Sequence, residues 1–173
     1  MPTPLGHAVG AVSVGWLAAG RRRGREVWRQ TAWLGLIGAA PDVDLLFGRH
    51  SMETHSIGAA LLVGAIAAWL RWPIAGTRLR IFLAATLAWL SHPLLDALGA
   101  DTSAPLGVML FWPFSTEHVM VAPLFDAVSR RYWLPGFVER TAMAVLRELL
   151  LLAPLALLAW WLSAPPTTKR RHS

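Results

Sequence analysis

The chain has no cysteine, one lysine, one tyrosine and few charges. Without cysteine there is no disulfide scaffold and no zinc ribbon or finger built on thiolates. Any metal site must draw on His, Asp and Glu. Charged residues make up 15% of 173 residues, against about 25% in soluble domains. Strict alternation at period two is absent, which argues against a membrane β-barrel. No Gly-rich phosphate loop and no serine nucleophile elbow occurs. What is abundant is apolar: hydrophobic residues reach 55%, which excludes intrinsic disorder. The length suits one domain.

Five apolar segments stand out, at roughly 5–20, 28–47, 55–72, 79–99 and 142–163. Each lies near the ~20 residues that cross a bilayer as a helix. The first is short, and Pro41, Asp42 and Asp44 interrupt the second. The expectation is an all-α integral membrane bundle of about five transmembrane helices over residues 1–163, followed by a disordered basic tail, 164–173. Fifteen of the sixteen cations are Arg, and the net charge is +6. The cations cluster after the first, third and fifth segments: Arg21, Arg22, Arg23, Arg25 and Arg29; Arg71, Arg78 and Arg80; Lys169, Arg170 and Arg171. Alternating spans place these clusters on one face, and the positive-inside rule makes that face cytoplasmic. Arg49, Arg130, Arg131 and Arg140 fall on the other face as exceptions. No cation precedes the first segment, so it reads as a retained anchor with an external N-terminus, not a signal peptide. Because the Arg clusters have this topological explanation, nucleic acid is not expected as a partner. The stretch 100–141 reads as an external, interfacial segment, with Trp112 and Trp133 suited to the membrane–water boundary.

The metal-ligating residue types gather at the opposite end from the Arg loops. His7 starts the first segment. Asp42 and Asp44 end the second, His50 and His55 open the third, and His92 and Asp96 end the fourth. An up-down bundle brings all of them to one side. His92 and Asp96, at i and i+4, share a helix face. Ionisable groups inside or beside the hydrocarbon cost about 2.5–3.5 kcal/mol each on insertion scales. So many of them at one end points to a cation site, most simply zinc, which accepts both nitrogen and oxygen donors. Bound zinc lowers the pKa of its water to about 7, and a carboxylate outside the first shell can orient that water. Asp44, Glu53 and Asp101 all qualify by position. Each residue also has a plain reading: a His near a helix end is commonly a cap or interfacial group, and Pro41-Asp42 suits a turn. Glu148 reads as a further ligand, a supporting partner or a pair for Arg147. Glu117 and His118 read as solvated loop residues, and Trp112-Pro113-Phe114 as a pocket wall or an aromatic belt.

Five motifs occur in order: Thr3-Pro4-Leu5-Gly6-His7, Pro41-Asp42-Val43-Asp44, His50 through Thr54-His55-Ser56, Ser91-His92-Pro93-Leu94-Leu95-Asp96, and Gly107 with Leu110-Phe111-Trp112-Pro113-Phe114-Ser115. Together they resemble the YdjM-like family of bacterial inner-membrane metal-dependent hydrolases, from Thr3 to about Ser115. The resemblance implies a divalent metal held by His7, Asp42, His55, His92 and Asp96, with Asp44 and His50 less firmly placed. This chain has Ser51 where many members carry Arg after the histidine. The His-x-x-x-Asp spacing of His92 and Asp96 is also similar to that of zinc-dependent phospholipase C and P1-type nucleases, which implies phosphate-ester chemistry.

The combined expectation is a multi-pass inner-membrane hydrolase with Asp44 and Asp101 as catalytic candidates. Its substrate would be a small-molecule or lipid ester or phosphodiester met at the external face, with membrane lipid as partner. A membrane regulatory protein with a structural metal is the alternative. A small transporter fits less well, because the acids lie toward one face rather than at mid-bilayer depth.

Overall fold

Local chemistry sets the helix boundaries. Thr3 caps the first helix, its hydroxyl accepting from the Gly6 amide at 3.3 Å. Pro4 follows in the first turn, where its missing N–H costs nothing. Ser56 and Thr77 cap the third and fourth helices in the same way. The computed structural model describes residues 2–164 except 49, 102, 103, 122, 127, 129–132 and 134. Arg49, Arg130 and Arg131, and the tail beyond Ala164, lie outside the described residues.

Among the described residues the structure is all-helical. The α-helices are α1 (Pro4–Ala19), α2 (Arg25–Ala39), α3 (Ile57–Trp69), α4 (Arg78–Ala97) and α5 (Phe137–Leu162). Two 3-10 segments, Ala40–Phe47 and Glu53–His55, join α2 to α3. All five apolar segments correspond to helices, but the second is divided. Its α-helical part ends at Ala39, and tighter winding carries Pro41, Asp42 and Asp44. Among the described residues one helix, α5, is long and apolar enough by length and composition to cross a membrane, while α1 and α3 are shorter apolar helices.

The helices run alternately up and down. α1 packs on α2, α4 and α5, and α4 also packs on α2 and α3. Small side chains make this possible: Ala11, Ala84, Ala85 and Ala88 are buried alongside Trp16, Leu34, Ile37 and Ile81, so backbones approach closely. Gly38 is the tightest case that bears on the site. A Cβ there would lie 2.9 Å from the His7 carbonyl oxygen and would also strike Ala11. α1 and α5 run in the same direction, tied at one end by Thr3 and Glu148 and at the other by Arg21 N–H donating to the Ser163 carbonyl at 2.9 Å.

Candidate metal centre

The end of the bundle opposite the Arg loops holds four histidines and three aspartates from four helical elements and one loop. His7 comes from the first turns of α1. Asp42 and Asp44 come from the 3-10 segment after α2. His50 precedes the second 3-10 segment, which supplies His55. His92 and Asp96 come from the last turns of α4.

Four donor atoms face one another at the centre. His92 Nε2 lies 3.2 Å from Asp96 Oδ2 and 3.5 Å from Asp42 Oδ1. His55 Nε2 lies 3.4 Å from the same Asp96 oxygen and 3.7 Å from the same Asp42 oxygen. Zinc bonds of about 2.1 Å in a tetrahedron separate neighbouring donors by about 3.4 Å. The four nitrogen–oxygen separations, 3.2 to 3.7 Å, lie around that figure. His55 Nε2, His92 Nε2 and both Asp96 oxygens are buried without a hydrogen-bond partner among the described residues. Leaving such groups unpaired costs about 1–3 kcal/mol each, more when charged. A cation shared among them removes that cost.

The far sides of the His55 and His92 rings are engaged, and this sets which nitrogen faces inward. His92 Nδ1 donates to the Gly38 carbonyl at 2.6 Å. That oxygen can only accept, so Nδ1 carries the hydrogen and the Nε2 lone pair faces the cluster. His55 Nδ1 lies 3.2 Å from Asp44 Oδ2, which also accepts from the Thr54 hydroxyl at 2.9 Å. Partners of this kind orient histidines that bind metals. Asp44 thus stands behind His55.

His7 completes the set. Its ring stacks on His92 with centroids 3.6 Å apart, and its Nε2 is 3.3 Å from Asp96 Oδ1. His7, Asp42 and His92 share one group of converging donors, and His55, His92 and Asp96 share another. All five ligands implied by the resemblance therefore lie in one cluster. His50 joins at its rim, with Nδ1 3.5 Å from Asp44 Oδ1 and 3.7 Å from Asp42 Oδ1. Asp42 and His50 are the open side, 25% and 16% exposed.

Asp42 and Asp44 lie beyond the end of α2. Burial opposes ionisation of both. The imidazoles of His55 and His92 facing Asp42, and those of His50 and His55 facing Asp44, outweigh it and hold both carboxyls below the usual carboxylate range.

A family described as the YdjM inner membrane protein matches residues 1–170. The chain belongs to the YdjM family. The match extends through α5, well past the motifs that carried the resemblance. No curated protein and no solved structure matches.

Several residues of this YdjM chain lie apart from the cluster. Asp101 accepts from the Gly107 amide at 3.1 Å, bracing the loop after α4, and is in none of the converging groups. Glu117 is exposed. Glu148 is buried in α5, accepting from the Thr3 amide at 2.8 Å and the Thr3 hydroxyl at 2.6 Å. It anchors the turn that presents His7, while its neighbour Arg147 pairs with Asp126 at 2.7 Å. Sequence reasoning missed Gly38 and Thr54. Thr54 lay inside a quoted motif, but nothing marks a glycine whose contribution is its carbonyl.

Proposed function

We propose that this protein is a membrane-embedded, zinc-dependent hydrolase acting on an ester or phosphodiester at the external end of its bundle. The observation that carries the reading is the set of two nitrogens and two oxygens, His55 Nε2, His92 Nε2, Asp96 Oδ2 and the partly exposed Asp42 Oδ1, whose nitrogen–oxygen separations run from 3.2 to 3.7 Å. His55, His92, Asp42 and Asp96 would hold the ion, with His7 against Asp96 and His92. When bound, zinc supplies Lewis acidity and an acidified water.

The chain's own contributions follow from position. Gly38 and Asp44 fix the two ring orientations. His50, beside Asp42 at the exposed rim, is placed to take up a proton at its ring and pass it to solvent. Asp44 acts through His55, and Asp101 through the loop it braces. Mutating His92 and Asp96 together to alanine tests the reading. Zinc content and turnover on an ester panel are expected to vanish together, and persistence of turnover would remove it.

The placement proposed is the cytoplasmic membrane, with five embedded helices, an external N-terminus and an internal C-terminus. Large apolar side chains are exposed on every helix, among them Leu17, Leu36, Leu62, Leu79 and Leu157. The Arg-rich turns lie at the end away from the cluster. A cysteine introduced by Gly24→Cys would be labelled only from the cytoplasmic side. The deep burial of His7, His55, His92 and Asp96 also suits a regulatory protein with a structural ion. Stoichiometric zinc without turnover would select that reading.

A further inference from the structure

The depth of the cluster and the side chains around its mouth identify a substrate class. Glu148 is the last charged residue of α5. From Leu149 to Leu162 the helix carries no charge. The two bonds from Thr3 put the start of α1 level with Glu148, so α1 descends beside the uncharged run. His7 lies four residues along α1 from Thr3, about 6 Å at the α-helical rise. The metal centre therefore sits about one helical turn inside the apolar belt, not in the water above it.

The mouth is also apolar. Asp42 and Asp44 share their 3-10 segment with Leu46 and Phe47, which are 80% and 77% exposed. The loop carrying Phe114, 96% exposed, is pinned to the segment that holds His55. The Met109 amide donates to the Ser51 carbonyl at 2.9 Å, the Ile57 amide to the Leu110 carbonyl at 2.9 Å, and the Gly58 amide to the Trp112 carbonyl at 3.1 Å. α3 also exposes apolar residues, Leu61, Leu62 and Ile66. A mouth bounded this way at this depth is wetted by lipid rather than closed by a protein partner. Acyl ester carbonyls lie at the edge of the bilayer hydrocarbon, with the phosphates farther out.

We infer that the substrate is a diacyl phospholipid that enters sideways from the outer leaflet and is cleaved at an acyl ester. The inference rests on the hydrolase reading above. In the reaction, water's hydroxyl bonds to the carbonyl carbon, the carbon–oxygen bond to glycerol breaks, and the proton goes to the glycerol oxygen. A free fatty acid and a lysophospholipid are left.

The test uses the full chain, zinc-loaded, in vesicles of phosphatidylethanolamine and phosphatidylglycerol, with p-nitrophenyl acetate as a water-soluble ester. Fatty acid and lysophospholipid are expected in equal amounts. Phe47→Glu should lower their release at least roughly tenfold, the scale of withdrawing one aromatic side chain from an apolar surrounding, while zinc content holds. Cleavage of p-nitrophenyl acetate without lipid products would overturn the lipid inference and leave the hydrolase reading standing. Release of diacylglycerol would overturn the assigned bond. No turnover of either ester with zinc bound would remove both. Independently of activity, a fluorophore attached through Phe47→Cys, in a chain with no other cysteine, should be quenched by lipids carrying a nitroxide near the headgroup. Quenching by a water-soluble agent alone would also overturn the inference.

Discussion

The two ends of the bundle treat buried polar groups in opposite ways. At the Arg-rich end, Gln30 is fully buried and its amide is shared among three backbone groups. Its Nε2 donates to the carbonyls of Gly20 at 2.9 Å and Ile74 at 2.8 Å, and its Oε1 accepts from the Arg22 amide at 2.9 Å. It closes the turns between α1 and α2 and before α4. At the other end, histidine and aspartate atoms equally buried face one another without hydrogen bonds among the described residues. At the Arg-rich end, Gln30 is satisfied by the chain alone. At the other, the outer nitrogens of His55 and His92 have partners, while their inner nitrogens and the Asp96 oxygens converge without any among the described residues. Buried polarity by itself therefore does not mark a site; buried polarity aimed at a common point does.

The largest expected effect that would break this contrast is at Asp96. Asp96→Ala should abolish zinc retention, measured by elemental analysis of the detergent-purified protein, because it removes the oxygen that both His55 and His92 face. Gln30→Ala should do the reverse. Zinc content should stay at the wild-type level, while stability falls by about 2–4 kcal/mol as three buried backbone groups lose their partner. A matched loss of zinc in both variants would erase the distinction between the ends. Asp44→Asn sharpens it further. Removing the carboxylate behind a ligating histidine typically weakens metal binding about 10–100-fold, so titration calorimetry should show weakened rather than absent binding.

The mildest perturbation is acidification. Histidine binds metal as the neutral imidazole, and its ordinary pKa is about 6.5. Asp42 and Asp44 are held below the usual carboxylate range, so they remain ionised as the histidines titrate. Zinc should therefore be released as pH falls through the histidine range. The stability that Asp44 itself contributes is present above about pH 4 and is lost only as pH falls further, through its lowered folded-state value. Unfolding followed at fixed zinc should show these as two separate losses.

Much of this was legible in the chain. Each of His7, Asp42, His55, His92 and Asp96 interrupts an apolar run near its end, where an ionisable group is costly and conspicuous. Alternation of the helices then brings them together. The division of the second apolar segment was not legible, because hydrophobicity does not register the change from α to 3-10 winding at Ala40. The placement of Asp44 behind His55 depends on which ring nitrogen each oxygen meets, and spacing along the chain carries no trace of that. Gln30 sat within a segment read as a membrane span, and its partners lie 10 and 44 residues away. Glu148 was singled out, but its bond to Thr3 spans 145 residues. Nothing in the pattern says which helices become neighbours.

That longest bond has a consequence for assembly during synthesis. His7 leaves the ribosome among the first residues, yet the carboxylate that steadies its turn comes from the final helix. A nascent chain halted after α4 holds every ligand and still lacks the clasp that sets the first of them. The turn that presents His7 is therefore fastened only once α5 has been made.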